Sequence, residues 1–223
     1  MAELEKVDED LDEEVCDRWV YTHEDKGNKR FFLAILGVLL FCFGLRIYWV
    51  QNFGGIVVDG ASMNQTLDHG DKLLVRYTQA GVVANRGDII IVDVRSYDEC
   101  SDTEFLIKRL IATEGDKVKC EDGNLYVCYA GQTEYTFVEE NYAYYYLNKM
   151  DYDFEEYVVG EGEIFFLGDN RQNSMDSRYK EEHGSHLSDS LYKAEDIYGV
   201  VPDWAVEYKT VLKWLFFRNT VRS

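Results

Sequence analysis

Beyond residue 70 the chain is built from short apolar or alternating runs punctuated by turn-forming residues. KLLVRY (72–77), GDIIIVDV (87–94), EFLIKRLIA (104–112), KVKCEDGNLYVCY (117–129) and EIFFLGD (163–169) each have the length and side-chain pattern of a β-strand. Asp122-Gly123 splits the fourth run and predicts a two-residue hairpin turn, because both residues tolerate the positive φ that such a turn requires. Several short strands with frequent turns predict a mostly β body, curled or closed so that few sheet edges stay open. The run YAYYYLNKMDYDFEEY (142–157) is aromatic and acidic, with no periodicity that assigns it a role beyond surface packing.

A different pattern occupies residues 31–50. FFLAILGVLLFCFGLRIYWV is apolar for 20 residues apart from Arg46 near its end, long enough to cross a bilayer. Tyr48 and Trp49 are placed as an interfacial belt, and the long Arg46 side chain can reach the headgroups. A cleaved signal peptide would have a short basic start and a small-x-small site after the apolar run; RIYWVQNFGG offers no such site. A buried core helix of this length would be expected to show a polar face. The pattern therefore predicts three regions: an acidic tail over 1–30, a transmembrane anchor over 31–50 and a β-rich domain over 51–223. Lys26, Lys29 and Arg30 precede the anchor, and beyond Arg46 the next basic residue is Lys72, which predicts a cytoplasmic tail and an extracytoplasmic domain.

Composition narrows the partners. With 42 acidic and 23 basic residues in 223, the net charge of −19 argues against nucleic acid, whose phosphates would be repelled. Residues 1–30 hold 11 acids against 5 bases and have no sustained apolar face, so they read as a solvated tail or a frayed helix. Five cysteines are scattered, and across the predicted hairpin Cys120 faces Leu125 while Cys128 faces Lys117, which disfavours a disulfide between them. The histidines at 23, 69, 183 and 186 lack metal-ligand spacing, and His183 and His186 sit in a charged stretch that reads as solvated surface. The C-terminal run YKTVLKWLFFRNTVRS fits either an interfacial contact with the membrane or packing against the domain.

Candidate chemistry begins at VVDGASMNQTLDHGD. Ser62 lies in a turn of small residues, where a serine often does no more than satisfy local backbone groups. A nucleophilic serine needs a base, and His69 is only seven residues away. Lys108 is the stronger candidate, since in FLIKRLI it shares a strand face with Leu106 and Leu110. Desolvation there would favour the neutral amine that a general base must present; the alternative is a lysine extended into water from a strand edge. A third element is FFLGDNRQNSMDSR, whose polar crowd after an apolar strand end can build a hydrogen-bonded support for a site or simply an ion-paired turn.

Four segments, SMNQTL (62–67), GDIIIVD (87–93), KRLIATEGD (108–116) and GDNRQNSMDSR (168–178), together with the anchor, resemble the type I signal peptidases in order and spacing. These are membrane-anchored serine proteases that remove signal peptides from exported proteins. The resemblance implies a largely β body with a Ser/Lys dyad: Ser62 as nucleophile, Lys108 as general base, and Ser174 hydrogen-bonded to the lysine amine. Asp176 and Arg178 match structural ion-paired residues, whereas Asp169 and Asn170 match the family's turn without a defined catalytic part. Gly60, Ala61 and Met63 become the substrate-binding neighbours of the nucleophile, and His69 is demoted. The family uses no metal or cofactor, and its partners are signal peptides and the bilayer.

Two departures stand out. The family usually has proline where this chain has Gln65, and some members have a serine where this chain has Gly60. The oxyanion would then be held by backbone N–H groups, that of Ser62 among them. A signal-peptidase-like protein without activity, or another membrane-anchored Ser/Lys protease, would share the same segments.

Overall fold

The computed structural model describes residues 4–97, 104–145, 153–178 and 192–210. His183, His186, Cys100 and most of the C-terminal aromatic run lie outside the described residues. The chain divides into two compact units, Met1–Val50 and Gln51–Ser223.

Helix α1 runs over Leu4–Asn52, so the acidic segment is helical and continuous with the apolar one. Within it, Asn28–Asn52 is long and apolar enough to cross a membrane, with a mean hydropathy of 2.3. Apolar side chains such as Phe32, Leu40 and Phe43 are exposed around the helix, a surface that lipid covers at less cost than water.

The second unit is mostly β. Its larger sheet has seven strands in the order β1-β2-β11-β3-β4-β9-β10, and a smaller one has the order β7-β6-β5-β8. In the larger sheet these are β1 Phe53–Val57, β2 Lys72–Tyr77, β3 Ile89–Asp93, β4 Phe105–Thr113, β9 Glu163–Leu167, β10 Tyr192–Lys193 and β11 Ile197–Val201. In the smaller they are β5 Lys117–Glu121, β6 Asn124–Cys128, β7 Thr136–Phe137 and β8 Phe154–Val158. A short helix, α2, follows over Asp203–Glu207.

The hairpin forms as its turn dictates. Asp122 and Gly123 have φ of 52° and 73°, and the register sets Cys120 against Leu125 and Lys117 against Cys128. Neither cysteine is in a disulfide. The Asp153 carboxylate, just before β8, accepts the N–H groups of Asp122 and Gly123 at 3.0 and 2.7 Å, fastening the turn to the next strand.

At the described end of the aromatic and acidic run, burial replaces the expected surface packing. Phe154 and Tyr157 of β8 are buried with Val118, Leu125 and Phe165 in the core beneath the small sheet. Two further apolar clusters fill the faces of the large sheet, one around Met63, Leu67 and Leu73, the other around Ile90, Leu110 and Phe166. The first reaches directly under the turn that carries Ser62.

Candidate active site

The polypeptide leaves β1 and turns through Gly60, whose φ of 94° favours glycine, before Ser62. On either side of the turn, Val58, Met63 and Leu67 are buried, so apolar packing pins the loop from below. Lys108 stands on β4 opposite Ile90 of β3, on the same buried face as Leu106 and Leu110. It is only 2% exposed. Its Nζ donates to Ser62 Oγ at 2.9 Å and to the Ile107 carbonyl at 3.1 Å. Two residues 46 positions apart are thus brought within hydrogen-bond reach, the distance over which a neutral amine can accept a hydroxyl proton.

The turn after β9 holds these two elements together. Asn170 donates its backbone N–H to the Ser62 carbonyl at 2.9 Å and its Nδ2 to the Ala61 carbonyl at 3.0 Å. Asp169, with no exposed surface, receives Arg109 through Nε at 2.8 Å and Nη2 at 2.6 Å, and the Thr66 hydroxyl at 2.6 Å. Arg109 is the chain neighbour of Lys108, and Thr66 belongs to the Ser62 loop. One dipeptide therefore spans both halves of the pair. The sequence resemblance left Asp169 and Asn170 without a part in the chemistry; the dense polar run in which they lie was the signal that they support it.

Asp176 and Arg178 form a buried two-pronged pair, with Nε to Oδ1 and Nη2 to Oδ2 both at 2.8 Å. Burial by itself would raise the Asp176 pKa, but the Arg178 charge and fork, with the Gly168 N–H, hold it below the usual carboxylate range. The pair sits in the core and has a structural place.

Ser174 departs from expectation. Its Oγ is buried and finds no partner of hydrogen-bond geometry, so the implied bond to the lysine amine is not formed. Ser174 lies close over Gly168, where an added Cβ would be 2.1 Å from Ser174 Oγ and 2.6 Å from the Ser62 carbonyl oxygen. Ser174 lies toward Asp176 instead, and its hydroxyl favours the ionised form of that carboxylate. His69 lies on an exposed surface, its Nδ1 3.2 Å from Asp59 Oδ1 and accepting the Gly60 N–H at 3.3 Å.

A groove of about 700 Å³ opens at Ser62 and Lys108. Gly60, Ala61 and Met63 line it beside Ser62, with Met63 only 1% exposed and serving as floor. Its walls are strand edges. Among the described residues β1 pairs only with β2, and β9 begins to pair with β4 at Arg109, which leaves one edge of Phe105–Lys108 open.

A protein-family model described as signal peptidase, peptidase S26, matches residues 28–212, most of the chain. This chain belongs to that family. Signal peptidase I of Bacillus licheniformis is 35% identical over 165 residues, covering 70% of this chain and 84% of its own length. Signal peptidase I U of Bacillus subtilis is 31% identical over 156 residues, covering 66% of this chain and 74% of the relative. The crystal structure of a signal peptidase I from Enterococcus faecalis V583 covers 54% of this chain and 98% of that one, at 25% identity and a TM-score of 0.39. Membership of the signal peptidase family, together with the apolar helix Asn28–Asn52, makes the chain a membrane-anchored peptidase.

Proposed function

We propose that the protein is a signal-peptide-cleaving endopeptidase in which Ser62 is the nucleophile and Lys108 the general base. One observation carries the assignment: the buried Lys108 amine donates to Ser62 Oγ at 2.9 Å at the mouth of a groove with open strand edges. Burial has removed the water that would stabilise the ammonium, and the neutral amine is the form that accepts a proton.

In the first step the Ser62 hydroxyl passes its proton to Nζ as Oγ bonds to the scissile carbonyl carbon. The oxyanion is met by backbone N–H groups, that of Ser62 among them. The Lys108 ammonium then protonates the leaving amine as the C–N bond breaks, and the same lysine activates the water that hydrolyses the acyl-enzyme. Asn170, Asp169 and Ser174 act on this chemistry only through the positions of the loop and strand, as do Asp176 and Arg178.

The substrate lies extended, adding backbone hydrogen bonds to β1 and to the open edge of β4. Alternate side chains then face the enzyme, so residues −1 and −3 before the cut must be small where Gly60, Ala61 and Met63 close the groove. Residues 1–30 form the cytoplasmic part, 31–50 the anchor and 51–223 the extracytoplasmic catalytic domain, oriented by Lys26, Lys29 and Arg30.

The test is cleavage of a preprotein by the detergent-solubilised full chain. Ser62→Ala and Lys108→Ala abolish it while retaining the wild-type thermal transition, and His69→Ala keeps substantial activity. For the wild type kcat/KM rises with pH as the base loses its proton. Activity persisting in Lys108→Ala would overturn the dyad. External protease on right-side-out vesicles digests the domain and spares the tail; protection of the domain would reverse the orientation.

A further inference from the structure

The groove does not end where residue −3 would lie. Its lining continues along β1 to Gly54 and includes Tyr77, Phe105 and Tyr198. The three rings form one cluster, Tyr77 and Tyr198 edge to face with centroids 5.2 Å apart and Phe105 and Tyr198 at 5.1 Å. Phe105 and Tyr198 keep 37% and 36% of their surface exposed, so apolar ring area is left uncovered at the end of a continuous channel.

The wall is built in. At Gly54 an added Cβ would lie 2.0 Å from Tyr77 Oη, so glycine is what lets the Tyr77 ring lie across β1 at this point. Tyr198 is held from behind by its strand, where the Thr78 hydroxyl donates to the Ile197 carbonyl at 2.6 Å and approaches the Tyr198 carbonyl at 3.2 Å. The Arg95 guanidinium lies over the Phe105 ring at 5.4 Å.

Strand geometry says which part of a substrate arrives there. Gly54 is six positions before Gly60, or roughly 20 Å at about 3.3 Å per extended residue. If −1 and −3 face the floor, −5 and −7 share that face. We infer that Tyr77, Phe105 and Tyr198 form a distal specificity subsite that takes an apolar side chain at −5 or −7 of the signal peptide. This rests on the dyad reading of Ser62 and Lys108, and the substrates below separate the two.

The experiment uses the full chain in detergent and three peptides with one cleavage sequence. The first begins at −4, the second extends to −8 with leucine at −5 and −7, and the third is the second with serine at both positions. The leucine peptide is cleaved with kcat/KM about tenfold above the serine peptide, the equivalent of roughly 1.4 kcal/mol from one partly buried aliphatic side chain. Tyr77→Ser and Tyr198→Ser each erase that difference while leaving kcat/KM for the short peptide unchanged. Equal rates for the leucine and serine peptides overturn the inference, as does equal loss on short and long peptides in both variants. So does a leucine effect that appears only at positions after the cut. Should the wild type cut none of the peptides, the dyad reading fails on its own. Fluorescence anisotropy of labelled leucine and serine peptides on Ser62→Ala then still decides the subsite, by tighter binding of the first or by equal binding.

Discussion

Replacing Asp169 by asparagine tests how the site is held. The carboxylate has no exposed surface and accepts two bonds from Arg109 and one from Thr66, while the Arg109 side chain, 12% exposed, is covered by the Tyr142 ring at 3.9 Å. Asparagine keeps the shape but removes the charge, and its amide hydrogens point at groups that are themselves donors. A buried guanidinium is left without its counter-charge, for a cost of about 3–5 kcal/mol. For a folded unit of this size that is a fall in Tm of roughly 6–20 °C. Scanning calorimetry of the detergent-solubilised chain measures it, with Arg109→Gln and the double variant completing a cycle. The double variant should cost less than the sum of the singles by about 1–3 kcal/mol, because the second change removes the orphaned partner of the first. Asp169 also ties Thr66 to the strand of Lys108, so kcat well below the transition should fall while KM changes less. A loss of stability under about 1 kcal/mol, or an additive cycle, would refute the view that this pair clamps the loop to the strand.

Other outcomes follow from the same contacts. Asp176 is held below the usual carboxylate range by Arg178 and the Gly168 N–H, so its contribution to stability is present above the unfolded value, about pH 4, and is lost as pH falls through the lower folded value. Thermal scans across pH 2–6 should show Tm dropping in acid for the wild type and more shallowly for Asp176→Asn; parallel curves would reject the assignment. Burial first, with the charges of Asp153 and Glu140, pushes the Cys120 thiol up to about 12, so N-ethylmaleimide at pH 8 should leave the Cys120 peptide unmodified in the native protein and alkylate it after unfolding. In a peptide series with one phenylalanine moved through the cleavage site, cutting should fail at −1 and −3 and survive at −2, and equal loss at all three would reject the extended substrate.

Legibility in the sequence followed local chemistry. Lys72–Tyr77 is a strand over the residues its pattern predicts, and the hairpin at Asp122-Gly123 has the expected register, because alternation and turn residues act over a few positions. Strand β1 is harder to see, since Gly54 and Gly55 look like a turn; the reason Gly54 is small lies across the sheet, in the Tyr77 ring. Strand β8 is masked by charge: FEEYV buries Phe154 and Tyr157 and points its two glutamates outward. Ser62 and Lys108 were legible as types and through the resemblance, whereas no local pattern says that the backbone of Asn170 reaches Ser62.

The departure at Gln65 is where these levels meet. A proline at this position would fix φ in the turn after Ser62, and its absence predicts a looser loop. The loop is nevertheless held from four directions. Met63 and Leu67 flank Gln65 and are buried at 1% and 0% exposure, and the Leu67 N–H donates to the Met63 carbonyl at 2.8 Å. Thr66 is tied to Asp169, and Lys209, just beyond α2, donates to the Thr66 carbonyl at 3.1 Å and to the Asp71 carboxylate at 2.6 Å. Proline limits the conformations of an unfolded chain, whereas these contacts act on the folded loop, so they can keep its geometry but do not replace the entropy. Loss of the proline is therefore a cost to stability and not to the placement of Ser62, which is set by Asn170 above the turn and Met63 below it.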